Sequence, residues 1–257
     1  MSNLLERFSS VLLAADEAQI RADPTLENRL ALSTEGGLVV HYAPFEHIER
    51  SAKVVIAGIT PGLQQAANAL IEARKQLKAG KSPAEALRAA KVHASFSGPM
   101  RSNLITMLDY IGVHTWAGLQ SSAQLWGDRS ELVHFTSTLR YPVLLNGKNY
   151  SGAPSMVTTR ILTALIEEHL REEALALPDA IWIPLGPAAT SGVNHLVSKG
   201  VLSPGKVLTG LPHPSGANAE RIAYFVGKKP REYLSAKTNA GTMDRVRTDL
   251  LAQMSKL

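Results

Sequence analysis

Two short motifs hold the residues best suited to chemistry. His213 lies between prolines in Pro212-His213-Pro214-Ser215-Gly216, and Thr60 lies in Gly58-Ile59-Thr60-Pro61-Gly62. An imidazole titrates near ~6.5, and an apolar, proline-flanked setting lowers that value, which favours a neutral ring able to donate to an oxygen anion. Gly58 and Gly62 let backbone approach a ligand closely, and the amides between them can face a base or a phosphate. The Thr60 hydroxyl can hold a water but cannot deprotonate it near neutral pH. Taken singly, a Gly-x-x-Pro-Gly turn can be a tight connection, and a proline-flanked histidine can be an ordinary loop residue.

The flanking sequence supplies elements to position both motifs. Lys53–Ala57 is a β-branched apolar run of the buried-strand type and leads directly into Gly58. Leu132–Ser137, Ala180–Gly186 and Lys206–Gly210 read as three further strands, the last ending at Leu211-Pro212-His213. Helices are expected over Asn3–Gln19, 64–91 with an interruption near Gly80, Arg101–Ile111, Val157–Arg171 and 187–198. Gly37–Tyr42 reads as a short strand, and Leu145–Gly152 as a polar loop. Alternating strands and helices predict a three-layer α/β/α sandwich around a mostly parallel four-stranded sheet. Ligands of such sheets bind beyond the carboxyl ends of the strands, where both motifs fall.

Composition narrows the classes. The 257 residues are 45% hydrophobic and 19% charged, the balance of a folded soluble chain, and read as a single domain spanning 1–257. Zero cysteine excludes disulfides, cysteine-ligated zinc, iron–sulfur clusters and a cysteine nucleophile. No apolar run reaches the roughly 18 residues of a membrane helix, and the N-terminus lacks a signal-peptide order. No membrane partner and a cytoplasmic location are therefore expected. The net charge of +5 is uneven: residues 1–60 hold five Lys and Arg against eight acids, and 196–257 hold ten against four. Lys228, Lys229, Arg231 and Lys237 cluster in that second stretch, either a footprint for a phosphate-bearing partner or a solvated surface.

The order, spacing and strand context of the paired motifs resemble the uracil-DNA glycosylase superfamily, closest to its mismatch-specific uracil and thymine branch. Ser95–Arg101 with Asn103-Leu104-Ile105 resembles the family segment carrying a base-stacking Phe, and Ile181–Ala189 its third strand and following helix. The resemblance spans roughly residues 52–225, leaving residues 1–50 as an extension and 226–257 as a basic C-terminal region. It implies an enzyme that flips a deaminated, damaged or modified base from DNA and hydrolyses its N-glycosidic bond. His213 would donate toward the departing base, with Thr60 beside the water, and Gly58, Ile59, Phe96, Ser137 and Asn146 would bind the base. Phe96 is equally explained as a core residue. Gly62, Ser215, Gly216, Asn218, Arg221, Lys228 and Lys229 would contact DNA. DNA is the expected partner and a monomer the expected state. No metal or cofactor is implied, and no lysine beside either motif signals Schiff-base chemistry.

The sequence departs from the family pattern at two places. Thr60 replaces the usual Asp or Asn that positions or activates water, and Ser137 replaces the pyrimidine-reading Asn at the end of the second strand. Asn146 or Asn149 could supply a replacement amide, and His134 and Tyr141 can face pocket or core. Small residues at 60 and 137 suggest a roomier pocket, hence a bulky modified pyrimidine in place of uracil. Two other readings stay open: a non-catalytic DNA-binding or sensing module, and a hydrolase of free nucleosides that would not need the basic C-terminal region.

Overall fold

The computed structural model describes residues 4–257, so Asn3, where the first helix was expected to start, lies outside the described residues. In chain order the elements are α1 (Leu4–Ala14), α2 (Glu17–Ala22), β1 (Ala31–Glu35), β2 (Leu38–His41), β3 (Val54–Gly58), α3 (Leu63–Lys78), α4 (Pro83–Ala94), α5 (Pro99–Tyr110) and α6 (Val113–Trp116). There follow β4 (Val133–Ser137), β5 (Val143–Leu145), β6 (Lys148–Asn149), α7 (Arg160–Leu165) and α8 (Arg171–Ala176), the two helices joined by a π-helical turn over Ile166–Leu170. The last are β7 (Ile181–Pro184), α9 (Gly186–Ser198), α10 (Ala219–Phe225) and α11 (Ala240–Met254). None of the described helices is long and apolar enough to cross a membrane.

The chain divides into two compact units. The first comprises residues up to Ile48, Ile59–Ser95 and Phe135–Glu173. The second comprises Glu49–Gly58, Phe96–His134 and Ala174–Leu257.

In the first unit β1, β2, β5 and β6 form an antiparallel sheet in that order. Asn146 and Gly147, both at positive φ (49° and 76°), make the tight turn from β5 to β6, the geometry that two-residue hairpins prefer. The expected loop over 145–152 is thus partly a hairpin. The 64–91 helical stretch is two helices, broken by Gly80 at φ 74° and restarted by a capping box between Ser82 and Glu85.

This unit also buries charge. Arg140 donates from Nε to Glu173 Oε1 at 2.8 Å and from Nη2 to the His169 carbonyl at 3.0 Å, and it pairs with Glu172 at 3.0 Å. Lys91 donates to the His47 carbonyl at 2.6 Å and lies 3.9 Å from Glu173. Burial lowers the Arg140 pKa, but the charges of Glu173, Tyr141 and Glu172 more than offset it and hold the guanidinium above its ordinary value. Burial pushes Lys91 down to about 8 against the pull of Glu173. Glu46 buries its carboxylate, and burial pushes it up to about 7 despite the opposing pull of its own backbone, Tyr42, Arg140 and Lys91.

A parallel sheet is ordered β4-β3-β7; its strands β3 and β7 belong to the second unit, with Val54 opposite Ile181 and Ala57 opposite Pro184. The expected four-stranded, mostly parallel sheet is therefore corrected to a mixed α/β fold with one antiparallel sheet of four strands and one parallel sheet of three. The segment Lys206–Gly210 contributes a single parallel bridge, Val207 to Trp182, and one bond from Leu208 N to the Trp182 carbonyl at 2.8 Å. A 3-10 turn over Pro204–Lys206, Gly210 at φ 112° and Pro212 leave only Val207 and Leu208 free to pair.

The Glu46 shift fixes the sign of a pH effect. Between the ordinary carboxyl pKa of 4.5 and about 7, the folded chain holds a proton that the unfolded chain has released. Stability should fall as pH rises through that window, by up to ~1.4 kcal/mol per pH unit, and this group adds no slope above it. Glu46→Gln should remove the slope and be more stable than wild type at pH 8, read from urea unfolding at pH 5, 6, 7 and 8. An unchanged slope would refute the assignment.

Candidate functional site

The Thr60 turn is held mainly by the segment 138–149 of its own unit. The Ile59 carbonyl accepts from Thr138 Oγ1 at 2.8 Å and from Leu139 N at 3.0 Å. Thr60 Oγ1 donates to the Tyr141 carbonyl at 2.8 Å and accepts from Val143 N at 3.0 Å. Its proton and one lone pair are thus committed to backbone, leaving one lone pair for a water. Asn149 Oδ1 accepts from Leu63 N at 3.0 Å, capping the first turn of α3. Gly62 has φ −76°, open to any residue, and a Cβ there would meet the Asn149 amide at 3.5 Å, an ordinary contact.

Several expected base-binding residues take other duties. Asn146 is exposed at the hairpin tip, where its positive φ makes it a turn residue. Ser137 is half-buried at the end of β4. Tyr141 and His134, which could face pocket or core, both face core. Tyr141 packs edge-on against His169 at 5.1 Å, and His134 Nδ1 accepts from Glu49 N at 3.3 Å.

The second unit builds the more elaborate site around His213. Ser215 N–H donates to His213 Nδ1 at 3.3 Å, so the neutral ring carries its proton on Nε2. Burial lowers the imidazole pKa from its ordinary 6.5, which keeps that neutral form at pH 7. Among the described residues Nε2 has no protein partner, and it is not sealed from solvent. The ring is therefore a fixed N–H donor. Asn218 Nδ2 donates to the His213 carbonyl at 3.1 Å, and Asn103 Nδ2, from α5, donates to the Pro214 carbonyl at 2.8 Å.

Two glycines are demanded here. Gly186 at φ 81° donates to the Leu211 carbonyl at 3.1 Å, and a Cβ on it would stand 3.3 Å from His213 Cβ. Gly210 at φ 112° leaves space that Val246 Cγ1 occupies, 2.5 Å from where a Cβ would sit. Phe96, also in this unit, is buried at 6% exposure with φ 48°, a strained left-handed conformation for an aromatic residue.

His213 lines a cleft of about 350 Å³. Leu211, Pro212 and Pro187 line it with the histidine, Met243 and Val246 of α11 make an apolar wall, and Asn218, Arg221, Lys237, Asn239 and Thr242 add polar groups. Asn103, Asn239, Thr242 and Met243 were not expected from sequence as part of a site. Asn103 lay within the recognised Phe segment without a role, and α11 gave no signal beyond its charges.

The basic stretch is only partly available to a partner. Lys229 pairs with Glu220 at 2.7 Å, and Glu220 also accepts from Ser235 Oγ at 2.7 Å and Thr238 Oγ1 at 2.6 Å. Those bonds hold its carboxyl well below the usual range. Arg247 and Arg231 lie 2.8 and 3.9 Å from Asp244. Arg221 spans Asn218 Oδ1 and the Lys237 carbonyl, both at 3.2 Å. Among the described residues Arg221, Lys228 and Lys237 have no acidic partner. Ser215 and Gly216 stand at the start of the turn that carries this loop into α10.

No protein-family model and no solved structure matches the chain. The uncharacterized protein YoxB of Bacillus subtilis (strain 168) is 37% identical to it over 222 residues, covering 85% of this chain and 87% of that protein.

The glycine geometry separates two substitutions. Gly210→Ala adds a left-handed alanine and a clash with Val246, so it should cost at least ~2 kcal/mol in urea unfolding. Gly62→Ala should stay within ~0.5 kcal/mol of wild type or stabilise slightly. Equal costs at the two positions would overturn this assignment.

Proposed function

The chain belongs to the family of YoxB, and from its His213 cleft we propose that it is a monofunctional DNA N-glycosylase. The observation that carries this is the histidine held as a neutral Nε2–H donor beside a cleft of ligand size. When an N-glycosidic bond breaks, the electron pair leaves with the base nitrogen and the sugar becomes cationic at C1′. A fixed donor aimed at the base oxygen stabilises that anion without reorganising. Water then adds its oxygen to C1′, and the proton it loses ends through solvent on the departed base anion, leaving an abasic site and a neutral free base. The finer fold expectation, a family-like α/β/α sandwich, belongs to the same proposal. The order β4-β3-β7 with Val207 bridged to β7 is its support.

Phosphates would be met by Arg221, Lys228 and Lys237, three basic residues with no acidic partner among the described residues, together with Ser215 and Asn218. Phe96 is the stacking candidate, and its strained backbone is the feature that singles it out. A second reading, a DNA-sensing module that does not cleave, is favoured by one observation: the Thr60 proton is already given to the Tyr141 carbonyl.

Alkali-sensitive breaks in duplexes bearing uracil or modified pyrimidines decide between the two. Cleavage is expected, and His213→Ala should slow single turnover by ~10²–10³-fold. Binding with no break on any duplex would favour the sensor. Because the donor must be neutral and its pKa lies below 6.5, the rate should be flat above that pH. It should fall only when the ring protonates on the acid side, and a loss of rate between pH 8 and 6.5 would contradict this assignment.

Salt dependence tests the DNA face separately. Lys228→Ala should reduce the slope of log Kd against log salt by about one. Lys229→Ala should change it less, because Glu220 already answers that charge. The reverse ranking would reject this choice of cations.

A further inference from the structure

We propose that α11 enlarges the His213 cleft for a pyrimidine bearing a bulky, hydroxyl-rich substituent, an inference that rests on the glycosylase reading above. The cleft measures about 350 Å³. A six-membered ring is held by a cavity of roughly 150 Å³, so the space left is comparable to that of a second ring.

The walls indicate what the extra space takes. Met243 and Val246 are apolar and line the cleft together with the segment that carries His213. Val246 sits where a side chain on residue 210 would be, which seats α11 firmly against that backbone. The polar groups come from the start of the helix. Asn239 Oδ1 caps Thr242 N at 2.9 Å, leaving Asn239 Nδ2 and Thr242 Oγ1 without protein partners among the described residues. An amide donor and a hydroxyl beside an apolar wall are the means by which a protein holds a sugar-like group. Mostly apolar walls with a few convergent polar groups also mark an organic ligand, whereas a bare phosphate would gain nothing from Met243 and Val246.

The test compares duplexes carrying uracil, 5-hydroxymethyluracil and hexosylated 5-hydroxymethyluracil at one position, with single-turnover base release as readout. The hexosylated base should leave at least ~10-fold faster than uracil. Met243→Trp shrinks the cleft and should lower the hexosylated-to-uracil rate ratio by about 10-fold or more. Thr242→Trp, at an exposed position, should lower it in the same direction and serves if the first variant fails to fold. Uracil leaving as fast as the hexosylated base, or tryptophan variants that keep the ratio unchanged, overturns the inference and leaves the glycosylase reading standing. Release from none of the three duplexes overturns the glycosylase reading, and this inference with it.

Discussion

A guanidinium does not shed its proton in a protein, so enclosing Arg140 obliges the first unit to surround it with acceptors. Glu173, Glu172 and the His169 carbonyl do so, and the carbonyl comes from a π-helical turn. Lys91 is drawn into the same charge cluster and bonds the His47 carbonyl, so one network ties α4, the segment after β2 and the helix leading to Glu173. Such networks contribute little net stability compared with apolar packing, and their larger effect is on which arrangement is allowed. Here the arrangement extends one step along the chain. Residues 141 and 143, just beyond Arg140, present the carbonyl and the N–H between which Thr60 is held. The geometry of the first motif is therefore inherited from a buried charge.

The second unit solves a different problem by different means. A histidine donor needs its tautomer, its charge state and its direction fixed together. The Ser215 amide fixes the first, burial the second, and the bonds from Asn218 and Asn103 to neighbouring carbonyls the third. Gly186 and Gly210 allow the backbones of α9 and α11 to close around that loop. A group held this way requires no rearrangement when charge develops, which is why a fixed donor in a partly dry cleft is worth more than the same imidazole in water.

What could be read from the sequence follows the range of the interactions involved. The β3 strand, its breaker-rich turn and the break at Gly80 depend on neighbours in sequence and were legible. Lys206–Gly210 was misjudged as a full strand because its apolar run is real, while the turn before it and the glycine after it decide how much of the run can pair. Asn146 illustrates a residue with two meanings: an amide in a polar loop could read a base, but Asn-Gly directly after an apolar run is also a hairpin turn. Nothing local could reveal the Arg140 network, since Lys91 and Glu173 sit on helices where charges ordinarily face water. The same holds for α11, whose two arginines and two aspartates balance and announce no partner, while the cleft takes Thr242, Met243 and Val246 from it and Asn239 from its N-cap.

In the proposed reaction the heavier demand falls on His213 and the residues that hold it. A sugar that has become largely cationic accepts a weak nucleophile, so the water needs to be placed more than it needs to be deprotonated. The departing base anion is the costlier species in a cleft lined by Leu211, Pro212 and Met243, because apolar walls do not solvate charge. The donor and its supports are therefore what such a reaction depends on. The hydrogen bonds around His213 fall in that pattern, because among the described residues they leave its Nε2–H free.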